Sequence, residues 1–123
     1  MKHLEDNLQE ACVRWFRLQY PNIVIFAIPN GGYRNSREAA RLKKTGVLPG
    51  VADLFIMKDK YPPPWDMSTA AEAYHGLFIE LKTGKNKQTA AQKAFEAKCK
   101  AEGYQYKVCR YIEEFIEEVN NYL

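Results

Sequence analysis

An acid and a base stand two residues apart in a short apolar segment of this chain. The segment 77–82, LFIELK, contains Glu80 and Lys82 and is followed by a Thr-Gly pair. An apolar run of this length next to turn residues predicts a buried strand. Because side chains alternate along a strand, we expect Glu80 and Lys82 on one face and the apolar side chains on the other.

A second acid opens another apolar run earlier in the chain. Asp53 follows the turn pair Pro49-Gly50 and precedes the run Leu54–Met57, which predicts a second strand. Two carboxylates and a lysine are costly to bury unless they have partners or a metal. They predict a divalent-cation site of oxygen ligands with a lysine beside it. A buried ion-pair cluster without catalysis is the alternative.

These residues resemble a nuclease signature. Pro49, Asp53 and Glu80-Leu81-Lys82 look like the PD-(D/E)XK motif, and the wider text TGVLPGVADLFI and FIELKTGKNKQTAAQKAF is similar to the VRR-NUC branch of that superfamily. The resemblance extends from the first helix to Tyr106. The connection 58–75 between the two acidic strands is longer than a minimal member would need. The resemblance implies a metal-dependent DNA endonuclease.

The resemblance also implies a set of metal ligands. Mg²⁺, for which Mn²⁺ would substitute, would be bound by Asp53, Glu80, the backbone carbonyl of Leu81 and an acid on the first helix. Glu5 matches that acid, and Glu10 is the reserve. Glu5 has an equally good explanation as an acid that stabilises the first helical turn. Lys82 would hold or help deprotonate the attacking water.

Two further residues are candidates near the acids. Thr89-x-x-Gln92 has the form of a capping box, which by itself explains Gln92, whereas the resemblance implies that its amide points into the active site. The expected catalytic residues are therefore Asp53, Glu80, Lys82 and Gln92. His75 is close to Glu80 in sequence, although a histidine at a strand edge is usually incidental.

Basic residues surround the acidic motif in sequence. A basic run is usually a solvated helix face, but residues 33–46 immediately precede the Asp53 strand, which favours contact with a phosphodiester backbone. The resemblance adds the turn after Lys82 and the following helix. The expected DNA-binding residues are Arg34, Arg37, Arg41, Lys43, Lys44, Lys85, Lys87 and Lys93.

Hydrophobic periodicity predicts an α/β fold in one domain, residues 1–123. Helices are expected at 3–19, 36–46, 89–100 and 111–123, and strands at 23–28, 51–58, 77–82 and 104–109. The order α-β-α-β-β-α-β-α predicts a mixed, four-stranded β-sheet flanked by helices. It is compatible with the restriction-endonuclease-like (PD-(D/E)XK) core that the resemblance implies.

Composition narrows the function classes. The net charge is +3, and residues 111–123 contain four glutamates and no lysine or arginine, so the basic excess lies earlier. Cys12, Cys99 and Cys109 lack CxxC spacing, which indicates reduced, buried thiols. No apolar run approaches membrane-spanning length and no secretion signal is evident, so we expect an intracellular, cytoplasmic protein without a membrane partner. There is no Gly-rich phosphate loop, which argues against a small-molecule phosphohydrolase and a nucleotide cofactor.

The expected activity is cleavage of branched DNA such as four-way (Holliday) junctions. A non-catalytic DNA-binding module with the same fold is the main alternative, and a flap or nicking nuclease is another. Two symmetric cuts need two sites, so we expect a homodimer. Either the loop Tyr61–Met67 or the last helix, through Phe115, Tyr122 and Leu123, would form its interface, unless these side chains pack within the chain.

Overall fold

The segments with helical and strand patterns become four helices and four strands in the predicted order. The computed structural model describes residues 2–29, 36–66 and 73–123. Element ends differ from the expected ones by at most three residues. The elements are α1 (Lys2–Gln19), β1 (Val24–Ala27), α2 (Ser36–Lys44), β2 (Leu54–Met57), β3 (Leu77–Leu81), α3 (Ala90–Ala101), β4 (Gln105–Cys109) and α4 (Ile112–Tyr122).

The four strands form one mixed sheet in the order β1-β2-β3-β4. β1 and β3 each pair antiparallel with β2, and β4 pairs parallel with β3. A parallel pair needs a crossover connection, and α3 supplies it between β3 and β4. The predicted α/β class and the mixed four-stranded sheet are confirmed.

One face of the sheet is covered by α1 and α4. Cys12 and Phe16 of α1 and Phe115 and Val119 of α4 are fully buried against the apolar side chains of the strands. Tyr122 also packs into this core, and its hydroxyl donates to the Lys58 carbonyl at 2.7 Å. The expectation that Phe115 and Tyr122 offer a dimer surface is therefore wrong, because an amphipathic helix buries its apolar stripe in its own domain first.

The other face is covered by α3 over β3 and β4. The ring of Phe95 lies 5.2 Å from that of Phe78, and Cys99 of α3 and Tyr106 of β4 are buried between the helix and the sheet. The capping box at the start of α3 is confirmed, and Gly103 ends the helix with a φ of 84°. This second core is smaller, and it fixes α3 on the sheet.

α2 is the exception among the helices, because it buries none of its residues. It has four basic residues, and the chain leaves it through Gly46, whose φ is 105°. The amide of Val47 then donates to the Leu42 carbonyl at 2.9 Å. Backbone hydrogen bonds, and not buried side chains, therefore hold the C-terminal end of α2.

The long connection between β2 and β3 is closed at its base. Lys60 and Tyr74 exchange backbone hydrogen bonds of 2.9 and 2.8 Å, and the Lys60 ammonium donates to the Asn121 and Tyr122 carbonyls. Trp65 is 85% exposed beyond this base. Trp65 therefore does not pack into the core. Met67, which the sequence analysis also assigned to this loop, is not among the described residues.

The three cysteines are free and buried, as predicted. Burial raises the pKa of the Cys12 and Cys109 thiols, to about 12 in each case. They are therefore protonated side chains of the core. Within the described ranges, no helix combines the length and the apolar character needed to cross a membrane.

Candidate active site

The register between β2 and β3 brings the two acids together. Leu54 pairs with Ile79 in this antiparallel ladder, so Asp53 and Glu80 are the next pair along. An Asp53 side-chain oxygen, Oδ2, accepts a 2.7 Å hydrogen bond from the backbone amide of Leu81. This bond fixes the Asp53 carboxylate at the end of β3, where Glu80 and Lys82 lie.

Glu80 and Lys82 are the two buried charged residues of the described chain, at 2% and 8% exposure. Burial raises the pKa of Glu80, and the charge of Asp53 raises it further, while Lys82 opposes both effects. Burial also raises the pKa of Asp53. Two desolvated carboxylates cannot easily ionise together, so the pair retains a proton unless a cation approaches.

One carboxylate oxygen at this site has no donor. Glu80 Oε2 accepts a 3.2 Å hydrogen bond from the Gln92 side-chain amide, whereas Glu80 Oε1 is buried and has no hydrogen-bond partner within the described residues. Burying a carboxylate oxygen without a hydrogen-bond partner costs free energy, and a bound cation would offset that cost. The donor set therefore fits a hard divalent cation.

Three acids do not converge to form the site. Among the residues that the structure describes, no group of three or more His, Cys, Asp or Glu side chains has the arrangement of a metal cluster. Mg²⁺ is commonly bound by only one or two carboxylates, with water and substrate oxygens completing the shell. The pair Asp53–Glu80 meets that smaller requirement.

Of the two candidate acids on α1, Glu5 is the one near the pair. Burial and then the charge of Asp53 raise the pKa of Glu5, and Lys82 lowers it. Glu10 is instead exposed and pairs with Arg14 at 3.3 Å, one helical turn away. Of the two, Glu5 is therefore the acid whose charge interacts with Asp53 and Glu80.

A tight turn fixes the Asp53 strand against α3. Gly50 has a φ of 89°, a backbone conformation that favours glycine. A Cβ at this position would also lie 2.5 Å from the carbonyl carbon of Ala91. Only glycine allows this approach, which brings the first turn of α3 close to the segment that leads to Asp53.

The expected DNA-binding residues fall into two groups. Lys85 and Lys87 are exposed on the turn after β3, and Lys93 is exposed next to Gln92. Arg37, Arg41, Lys43 and Lys44 are exposed on α2, and Arg34 lies outside the described residues. The first group lies close in sequence to site residues whose positions the fold fixes. The second group belongs to a helix without buried residues.

His75 does not join the site. It lies before β3, at the opposite end of that strand from Glu80, where its amide donates to the Gly103 carbonyl and its ring packs on Tyr104. Closeness in sequence is misleading here, because a strand extends by more than 3 Å per residue. The histidine has a packing role.

Arg110 was missed by the sequence analysis. Its guanidinium donates to the Gly84 carbonyl at 3.1 Å, and so lies beside the turn that contains Lys85. The sequence could have predicted this position, because Arg110 directly follows β4 and parallel neighbouring strands end at the same edge of a sheet. The basic surface near the site therefore includes a residue from the end of β4.

The mixed four-stranded sheet flanked by helices is consistent with a restriction-endonuclease-like fold. A solved structure described as a "VRR_NUC domain protein" matches with a TM-score of 0.73 and 29% sequence identity, over 97% of this chain and 87% of that one. No protein-family model and no curated protein matches the chain. This similarity supports the VRR-NUC resemblance that the residues around Asp53 and Glu80 predict.

Proposed function

We propose that this domain is a metal-dependent endonuclease that hydrolyses phosphodiester bonds in branched DNA. The observation that carries the proposal is the buried Glu80 beside the half-buried Asp53, with a Glu80 oxygen that has no hydrogen-bond partner among the described residues and a buried lysine nearby. A purely structural ion pair would satisfy its oxygens internally. A cation held by the two carboxylates would supply the partner that this Glu80 oxygen lacks among the described residues.

Asp53, Glu80 and the Leu81 carbonyl would hold the ion, which is Mg²⁺ or Mn²⁺, and Glu5 would act from α1. When bound, the ion neutralises charge on the phosphate and lowers the pKa of bound water. The Leu81 amide orients Asp53, and the Gln92 amide orients Glu80. Lys82 places a positive charge where the phosphoryl oxygens gain negative charge, and it can hold the attacking water.

The exposed basic residues support DNA as the substrate. Lys85, Lys87 and Lys93 are exposed and close in sequence to Lys82 and Gln92, Arg110 contacts the turn that contains Lys85, and α2 has four more exposed basic residues. Cations of this kind bind the phosphate backbone without reading sequence. We therefore propose selectivity for DNA structure over DNA sequence, with four-way junctions as the preferred substrate.

One experiment separates this function from its alternatives. Linear, flap, splayed and four-way-junction DNAs would be incubated with the protein in Mg²⁺, in Mn²⁺ and in EDTA, and both binding and cleavage would be measured. We expect metal-dependent cleavage of the junction and none in EDTA. Binding without cleavage in either metal would instead favour a non-catalytic module, and cleavage confined to flaps a flap nuclease.

We further propose that the protein works as a homodimer, because one chain supplies one site and a junction needs two cuts. Tyr61 and Trp65 are 69% and 85% exposed and provide an aromatic surface of the kind enriched at interfaces. Sedimentation at micromolar concentration tests this, with Trp65→Ala as the interface variant. A 14.2 kDa monomer that still resolves junctions would contradict the dimer.

A further inference from the structure

We propose that Thr89 is a positioning residue for Glu80. The capping box of α3 sets the orientation of the Gln92 amide, and Gln92 then holds one oxygen of Glu80 and leaves the other for a cation. The inference rests on the proposed function where it concerns the cation, but the positioning itself involves only residues of this chain.

Three hydrogen bonds form a continuous path from Thr89 to Glu80. The Thr89 backbone N–H donates to Gln92 Oε1 at 2.9 Å, and the Gln92 backbone N–H donates to Thr89 Oγ1 at 3.1 Å. Gln92 Nε2 then donates to Glu80 Oε2 at 3.2 Å. The first two bonds are the capping box, and the third is additional to it.

The orientation of the Gln92 amide follows from chemistry. A backbone N–H can only donate, so the Gln92 atom that faces the Thr89 amide must be the side-chain oxygen. The NH₂ group must then face the opposite way, toward Glu80. The cap therefore determines that Glu80 meets a donor and not a second carbonyl oxygen.

The residue type at position 92 supports this double role. A capping box accepts glutamate or glutamine equally at its third position. Glutamate here would place a third carboxylate against the buried Glu80, whose Oε1 already lacks a donor among the described residues. Glutamine is the residue that both caps the helix and donates to the acid.

Gln88, just before this turn, bonds to Glu96 and Tyr106, whereas the cap is the described contact that bonds Gln92 itself within its own turn. Further along the helix, Phe95 packs on Phe78 at 5.2 Å and Cys99 is buried. At the start, Ala91 lies against Gly50, whose missing side chain allows contact but provides no hydrogen bond. Loss of the Thr89 hydroxyl should therefore loosen the first turn and release the Gln92 amide.

The test is a double-mutant cycle on Mn²⁺ binding, measured by calorimetry without DNA. Thr89→Ala should weaken binding by about tenfold, as for loss of an outer-shell partner, and Thr89→Ser should restore it. Gln92→Leu should weaken binding at least as much. The double variant should bind no more weakly than Gln92→Leu alone, because Thr89 acts through Gln92. Losses that multiply would overturn the proposal.

A matched control and a second variant keep the cycle interpretable. The Thr45 hydroxyl donates to the Leu42 carbonyl at 2.9 Å at the end of α2, so Thr45→Ala removes a comparable helix-end bond away from the acids and should leave binding unchanged. If Thr89→Ala does not fold, Thr89→Gly retains most of the cap stability and gives the same cycle. Equal losses in the Thr45 and Thr89 variants would overturn the proposal.

A measurement without metal or DNA separates this inference from the proposed function. In NMR spectra of the metal-free protein, the Gln92 side-chain NH₂ protons should exchange slowly in the wild type and in Thr89→Ser, and rapidly in Thr89→Ala. Slow exchange in Thr89→Ala would overturn the positioning role. Failure of the wild type to bind Mn²⁺, with this NMR difference intact, would count against the proposed function alone.

Discussion

α2 and α3 are both short helices with basic side chains, and they differ in how the fold holds them. α3 has a capping box, a buried Cys99 and the close approach of Gly50 to Ala91. α2 buries none of its residues. Under the proposed function, the two helices would therefore divide the roles. α3 would hold Gln92 in position beside Glu80, and α2 would supply positive charge that attracts DNA.

This division has a physical basis. A reacting group must be held to a fraction of an ångström, which requires packing and hydrogen bonds on several sides. Attraction to a phosphate backbone extends over a Debye length of about 8 Å at physiological salt and tolerates movement. A helix that only supplies charge therefore needs little buried surface.

The largest effect should come from the acids. Asp53→Ala and Glu80→Ala should each lower the cleavage rate at saturating DNA by more than about a hundredfold, the upper range for an outer-shell partner. Lys82→Ala should also remove turnover but leave metal binding largely intact. Single-turnover kinetics with Mg²⁺ would show this, and full activity in Asp53→Ala would refute the site.

Gly50 and Gly46 provide a matched pair for the stability of the two regions. Both have positive φ, but a Cβ at Gly46 meets nothing within 4 Å, whereas one at Gly50 meets the Ala91 backbone. Gly46→Ala should cost about 1–2 kcal/mol of unfolding free energy, and Gly50→Ala about 3–5 kcal/mol. Urea denaturation measures the loss of unfolding free energy in both variants. Equal losses would show that Ala91 of α3 can move away from an added Cβ at position 50.

The metal-free protein should lose stability as the pH rises. The pKa of Glu80 is higher in the folded chain than its usual 4.5. The protonated Glu80 therefore contributes its full stabilisation of the folded state below pH 4.5, and this stabilisation is lost as the pH rises toward the folded pKa. We expect unfolding free energy to fall by more than about 1 kcal/mol between pH 5 and 8. In denaturation experiments, Asp53→Asn should reduce the change of unfolding free energy with pH. An unchanged pH dependence would contradict the proton that the Asp53–Glu80 pair retains.

The smallest effect on stability should come from α2. Replacing Arg37, Arg41, Lys43 and Lys44 together with Ala should change unfolding free energy by less than about 0.5 kcal/mol per residue, because all four are exposed. The log–log salt slope of DNA binding should fall by about 0.9 for each phosphate that the variant no longer neutralises. Binding titrations between 50 and 200 mM salt measure the slope, and no change would mean that α2 is only a solvated face.

The sequence by itself determined the order of elements, the capping box and the position of Glu80 and Lys82 two residues apart at the end of one strand. These features depend on spacing within a few residues: apolar periodicity selects helix or strand, and Thr89 reaches Gln92 because they lie three residues apart. For the same reason, the predicted ends of α3 and β3 were correct to within one residue.

Only the tertiary structure decided how distant segments meet. It placed Phe115 and Tyr122 in the core, separated His75 from Glu80, and put Glu5 nearer than Glu10 to the acids. It also left Glu80 Oε1 without a partner among the described residues. Such outcomes depend on strand register and on how helices pack over the sheet, and these are set by contacts between residues far apart in the chain, which local periodicity does not encode.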